Sequence, residues 1–247
     1  MPDLAWNKTY WDGGYDWQGR GEEWSEAWGS SEAQWFGSLY PRLHRFLPAE
    51  HVLEIAPGYG RWTRHLLRHI HGGYHGIDMA NEVIGHCQRT FIQQPPHIQF
   101  DVNDGLSLAA APDHHFDLVF SFDSLVHADL DVHEIYIPQI LAKLKTTGVA
   151  FIHHSNWADA NETQPNTHCR AENVSGQLYA ELIRRAGGHV LIQECINWGT
   201  ETLIDALTLF CRADRPHLSS TIEIANPHFM LEATLIKNVY HRYCQVN

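Results

Sequence analysis

The sequence predicts an α/β fold built on a largely parallel sheet that closes with an antiparallel hairpin. Beyond residue 50, short apolar runs alternate with amphipathic stretches at helical spacing, the rhythm of βα units. A glycine-bearing turn, Pro57-Gly58-Tyr59-Gly60, directly follows the first apolar run. Later, the runs 189–197 and 202–211 are joined around Trp198-Gly199-Thr200, a link too short for a parallel crossover.

Taken in order, VLEIA (52–56) is the first strand, and Arg61 to Ile70 reads as a helix with Trp62, Leu66, Leu67 and Ile70 on one face. YHGID (74–78) is the second strand, followed by a helix from Glu82 to Phe91 that turns Val83, Ile84, Cys87 and Phe91 inward. IQFDV (98–102) alternates as a third strand, and FDLVFSF (116–122) is apolar enough to be central. A helix within 132–145 carries Ile137, Ile140, Leu141 and Leu144, and Pro138 demands either a kink or a helix start at that point. VAFIHH (149–154) is the fifth strand. The stretch 155–175, rich in Asn, Thr, Gln and Glu without periodicity, reads as a functional or mobile loop ahead of a helix at 176–186. Asn226-Pro227 predicts a cap and first helical position, with a last helix running into the 240s. Its stripe of Phe229, Ala233, Ile236, Tyr240 and Tyr243 is expected to pack on its own domain, a homodimer contact being the alternative.

With 247 residues and 44% hydrophobic content the chain can build one continuous core. No apolar run approaches a membrane span, and the opening MPDLAWNKTYWDGGYDW lacks the features of a signal peptide, so a cytoplasmic location without a membrane partner is expected. The five cysteines are scattered and contain no CxxC pair. A formal charge of −12 argues against nucleic acid as the partner and leaves a small molecule as the expected ligand.

The glycine turn lies where α/β sheets bind ligands, at the carboxyl end of a strand. Gly58 and Gly60 let backbone approach a ligand closely, and Asp78, 18 residues beyond Gly60, ends a strand where a carboxylate can take hydrogen bonds from two ribose hydroxyls. A dinucleotide fingerprint would place a third glycine where Thr63 stands. An S-adenosylmethionine site needs no such glycine and favours an acidic residue on the preceding strand, which Glu54 supplies.

The order Glu54-Ile-Ala-Pro-Gly-Tyr-Gly60, Gly76-Ile-Asp78, Asn103-Asp104-Gly105, Phe116-Asp-Leu-Val-Phe-Ser121 and Leu144-Lys-Thr-Thr-Gly148 resembles the Rossmann-fold class I S-adenosylmethionine-dependent methyltransferases across roughly residues 36–212. The resemblance implies a seven-stranded, mostly parallel sheet with the antiparallel C-terminal hairpin. It also implies S-adenosyl-L-methionine as cofactor. Glu54 and the backbone of Ala56, Gly58 and Gly60 would hold the methionine part, Asp78 and Met79 the ribose side, Asp104 the adenine amino group, and Ser121 would lie near the methionine end. Thr146-Thr147 departs from the Pro-Gly often found in the family before the fifth strand, which affects only a turn. Residues 1–35 are then an N-terminal aromatic lid, 36–212 the methyltransferase domain and 213–247 a C-terminal helical extension. Outside this class, an NAD(P)-dependent oxidoreductase and a non-catalytic small-molecule binder use similar sheets.

Methyl transfer needs a positioned nucleophile and, for a hydroxyl, a proton acceptor. Strand four ends in Asp123, His127, Asp131 and His133, and strand five in His153, His154, Ser155 and Asn156. His154 and His127 are the expected bases, oriented by a carboxylate such as Asp123, and only one of His153 and His154 can face the pocket while the strand persists. Asp123, His127 and His153 or His154 also form an acceptable divalent-metal set, the alternative of a metal-assisted O-methyltransferase. For each histidine, a ring bonded to backbone competes with either role.

Six of nine tryptophans, Trp6, Trp11, Trp17, Trp24, Trp28 and Trp35, precede the sheet. The stretches EEWSEAWGSSEAQWF, DSLVH, IHHSN and INWG are similar to a bacterial subgroup of methyltransferases associated with glycan and polysaccharide biosynthesis. That resemblance implies O-methylation of a saccharide, with Trp28, Trp35, Asn156 and Trp198 as acceptor contacts; N-methylation of a small metabolite is the alternative.

Overall fold

The computed structural model describes residues 3–91 and 97–246. Eight strands form one sheet: β1 (Ala49–Ile55), β2 (Ile70–Asp78), β3 (His97–Val102), β4 (Phe116–Ser121), β5 (Leu144–Ser155), β6 (Gly188–Ile196), β7 (Asp205–Arg212) and β8 (Ile222–Asn226). Their order is β3-β2-β1-β4-β5-β7-β6-β8. The first five are mutually parallel, β7 runs antiparallel to β5 and β6, and β8 pairs parallel with β6. Five helices matter below: α1 (Leu4–Thr9), α2 (Asn81–Phe91), α3 (Leu130–Lys143), α4 (Gly176–Arg185) and α5 (Phe229–Leu235).

The sheet therefore has one strand more than expected. IEIAN is short, its isoleucines are exposed, and it gains its partner only from the outer edge of β6, so nothing local marks it as a strand. The hairpin thus lies one strand in from the edge. Asn226 ends β8 and its side chain accepts from the His228 amide, so the helix begins at Phe229 and not at Pro227. Phe229, Ala233 and Ile236 are buried on the domain, whereas Tyr240 and Tyr243 are exposed.

Alternation along the strands sorts side chains to two faces. Val52, Leu118, Phe120 and Phe151 pack with Trp35, Leu39 and Leu43 on one side. Leu53, Val119 and Ile152 pack with Ile137, Ile140 and Ile183 of α3 and α4 on the other. The helix expected over Arg61–Ile70 is a short α-turn, Thr63–Leu66, followed by a 3-10 turn to His69, and Ile70 already belongs to β2. Helix α3 runs through Pro138 because that residue sits on the exposed face, where solvent can satisfy the carbonyl a proline frees. Among the described residues no helix is long and apolar enough to cross a membrane.

Candidate active site

The sheet order reverses between β1 and β4, and the carboxyl ends of β1, β2 and β4 open there on a cavity of ≈ 380 Å³. The turn after β1 is forced through left-handed conformations, with φ of 57° at Ala56, 56° at Gly58 and 81° at Gly60. Asp78, at the end of β2, holds that turn in place: its Oδ2 accepts the Gly58 amide at 3.3 Å and its Oδ1 the Ala80 amide at 3.0 Å. Burial pushes the Asp78 carboxyl up to about 6, against the opposing pull of the backbone amides. A carboxylate has about four acceptor sites and these amides use two, so it retains capacity for hydroxyls in the cavity. Met79, Val83 and Leu106 supply an apolar wall beside it. The carboxylate, the open backbone turn and the apolar slab suit an adenosyl group.

The other cofactor expectations fall differently. Ala56 and Gly58 line the cavity. Gly60 does not; a Cβ there would come within 2.3 Å of the Phe91 ring, so its glycine serves packing. Glu54 points into the core, accepting from Tyr74 Oη at 2.5 Å and Thr63 Oγ1 at 2.7 Å, with burial raising its carboxyl to about 7. It ties β1 to β2 and to the helical turn behind the glycines. Asp104 lies outside the cavity, capping its own turn through the Leu106 and Ser107 amides, while its neighbours Asn103 and Gly105 line the wall. Ser121 alternates with Phe120 and Phe122, which puts it on the opposite face of the sheet, fully buried.

The N-terminal segment closes the cavity. Asp3 caps α1 through the Trp6 amide, Leu4 lies against Gly105, and Asn7 Nδ2 donates to the His127 carbonyl at 3.4 Å. Trp11, Trp17 and Trp24 line the cavity and contact one another, and Trp17 stacks on Tyr59. Asp12 anchors the segment by accepting from the Glu82 amide and Asn81 Nδ2 at the start of α2. Trp28 and Trp35, the expected acceptor contacts, are core residues instead: Trp28 packs on Trp198 and Phe229, and Trp35 on His65 and His69.

Beyond β4 the backbone turns at Asp123, φ 62°, whose Oδ2 accepts from Arg61 Nη2 at 2.8 Å. The Arg61 guanidinium lies between the Trp24 and Trp62 rings, 5.1 and 4.6 Å from their centroids. His127 lines the same cavity, its Nδ1 2.9 Å from the Cys169 carbonyl. Since a carbonyl only accepts, Nδ1 carries the proton and the lone pair is on Nε2. Burial, helped by the nearby Arg170 cation, pushes the His127 imidazole down to about 4.

The adjacent imidazoles of β5 do not line the cavity. His153 packs on Phe122 and Trp198 and accepts the Asp123 amide at Nδ1, 3.1 Å away. His154 points through the opposite face, stacked on Tyr179 at 3.7 Å and bonded to Thr208 Oγ1 and its neighbour's carbonyl. Asn156 binds the Leu203 carbonyl and the Gly176 amide, and Trp198 packs in the core. Asp123, His127, His153 and His154 therefore do not converge as a metal set. Among the described residues the group of three ligand-type side chains close enough to share an ion is Glu50, His51 and Asp117, at the opposite strand ends, where Lys145 already bridges the two carboxylates.

Sequence reasoning assigned no role to Arg61 or Tyr136 and none on this wall to Asn103 or Asp131, and it named Trp28 and Trp35 as acceptor contacts where the structure lines the cavity with Trp11, Trp17 and Trp24. Arg61 directly follows the glycine turn, a position that offers a signal. The others depend on tertiary packing.

Fold and cavity together define an α/β protein with a ligand-sized cavity at the switch point of its sheet. A methyltransferase domain model matches residues 52–148. The chain superposes on the PH0226 protein of Pyrococcus horikoshii OT3 (TM-score 0.55, 20% identity, 75% of this chain and 93% of that one). It also superposes on an S-adenosylmethionine-dependent methyltransferase of Clostridium acetobutylicum ATCC 824 (0.58, 14%, 80% and 96%) and on DhpI in a complex with SAH (0.56, 19%, 85% and 95%). At these identities the likeness is one of fold. No curated protein matches by sequence. Residues 52–148 thus carry a methyltransferase domain, on a fold shared with S-adenosylmethionine-dependent methyltransferases.

Proposed function

We propose that the protein methylates a hydroxyl of a small acceptor, a saccharide or glycan precursor, and that His127 takes the hydroxyl proton. The observation that supports this most is the state of His127: of the four histidines at these strand ends it alone lines the cavity, with Nδ1 committed to Cys169 and Nε2 left to accept. S-adenosylmethionine, when bound, supplies an electrophilic methyl carbon. Asp78 and the Gly58 turn would hold its ribose, with Met79 and Leu106 against the base. The depressed basicity of His127 keeps the ring neutral at physiological pH, ready to accept. A weak base suffices because a hydroxyl becomes acidic as its oxygen forms the new bond to carbon. The Trp11 ring, 6.0 Å from that of His127, offers an apolar face suited to the CH-rich side of a sugar.

Transfer of labelled methyl to a panel of saccharides tests this reading. His127→Gln should lower the rate about 10²- to 10⁴-fold, the usual worth of a positioned base. Full activity in that variant would end the assignment. A second reading, methylation of an amine, is favoured by Asp3, Asp129 and Asp131 on the same cavity wall, which would suit a cationic acceptor. Transfer to amines and not to saccharides would select it.

A further inference from the structure

We infer that the buried Arg170–Asp205–His153 group is a positioning scaffold that sets both His127 and Asp123 at the cavity. The inference rests on the reading of His127 as proton acceptor. None of the three scaffold residues lines the cavity, and all are almost fully buried. Arg170 grips Asp205 as a fork, Nε to Oδ1 at 3.0 Å and Nη2 to Oδ2 at 2.9 Å. A buried ion pair is a poor source of stability, since well-packed apolar residues of similar volume commonly serve as well or better. What this pair offers is fixed geometry, and it reaches the cavity by two arms.

The first arm is the chain beside Arg170. Cys169 is held at φ 51°, a left-handed conformation unfavourable for its side chain, and there its carbonyl receives His127 Nδ1–H. Ala171, on the other side of Arg170, donates its amide to the Val126 carbonyl at 2.9 Å, and its own carbonyl accepts from Ser155 Oγ at 2.6 Å. Arg170 thus anchors the segment that orients the His127 ring.

The second arm runs through His153. Its Nδ1 accepts the Asp123 amide, so the ring proton lies on Nε2, 3.2 Å from Asp205 Oδ2. Asp123 is likewise left-handed, at φ 62°, and its carboxylate holds Arg61 against the two tryptophans. Both left-handed residues are therefore secured from one ion pair, which explains why β5 places His153 at its end and why the irregular loop carries an arginine into the core.

The test uses the full chain with Arg170→Lys, which keeps the charge and loses the fork, and the double variant Arg170→Met/Asp205→Leu, which replaces the pair by apolar groups. For each, methyl-transfer kinetics are measured together with ¹⁵N NMR of the histidines, His127→Gln supplying the assignment. We expect kcat to fall about 10²-fold, the scale of an ångström-sized misplacement, with KM for S-adenosylmethionine unchanged. We expect His127 to lose its single Nδ1–H tautomer. Either variant keeping wild-type kcat and an undisturbed His127 tautomer overturns the proposal, and if Arg170→Lys does not fold the double variant decides. If His127→Gln turns over at full rate the base assignment fails, while the tautomer measurement still reports on the scaffold.

Discussion

Trp17 lies flat on Tyr59, ring centroids 4.5 Å apart and planes 3° from parallel, and its edge covers Gly58 closely enough that a Cβ there would sit 3.2 Å from the indole. This contact joins the N-terminal segment to the glycine turn. Trp17→Ala removes it and should weaken S-adenosylhomocysteine binding about 2- to 10-fold, an aromatic pair contributing about 0.5–1.5 kcal/mol beyond its burial. Trypsin cleavage after Arg20 should quicken in parallel. Calorimetric titration and timed digestion check both, and Trp17→Phe should restore most of the loss.

Asp78→Asn retains shape and removes the charge that the Gly58 and Ala80 amides hold. Hydrogen bonds to a charged group are worth about 1.5–3 kcal/mol, so S-adenosylhomocysteine affinity should fall at least about tenfold. Because burial places the carboxyl near 6, the wild-type protein should also bind the cofactor progressively less well below about that pH. Normal affinity in the variant would remove Asp78 from the site.

His154 and His127 should separate in mutagenesis. His154→Ala deletes a ring stacked within 3.7 Å of Tyr179 and bonded to Thr208, so it should cost about 3 kcal/mol of stability, as large-to-small core changes do, with kcat of the folded protein unchanged. His127→Ala should do the reverse. Denaturant melts beside initial rates distinguish them.

Stability should decline in mild acid. His65 and His154 are pushed down to about 3, and His127 and His133 to about 4, each chiefly by burial. The unfolded chain then binds more protons at these sites, so their contribution is complete above about pH 6.5 and is lost toward pH 4, at about 1.4 kcal/mol per histidine per pH unit. Glu54 and Asp78 act oppositely: their raised values, about 7 and about 6, add stability as pH falls through them. Four sites outweigh two, and thermal melts should therefore show a maximum near neutrality with a clear loss by pH 5. Glu54→Gln should melt higher than wild type at pH 8, where the buried carboxylate is ionised.

Most of the sheet was legible because β1 to β7 are each set by local hydrophobic pattern. Strand β8 was not, since Ile222 and Ile224 are defined by an edge that the hairpin creates. The site was half legible. Gly58 and Asp78 could be read as cavity residues because they sit at strand ends whose position the topology dictates. Which tryptophans cover the cavity could not be read, because Trp17 and Trp28 differ only in whether they meet Tyr59 or Phe229, a matter of tertiary path. Adjacent His153 and His154 were visible as a pair, but their division into a support for Asp123 and a core stack depends on the loop and helix that follow.

The attachment of residues 3–24 at both ends of the cavity has a kinetic consequence. Asp12 hooks the start of α2 and Asn7 reaches the backbone of His127, so one segment lies across the cavity from the Asp78 end to the His127 end. If donor and spent nucleoside pass under this segment, its swing should time both, and turnover should slow as sucrose thickens the solvent even when every reacting group is intact.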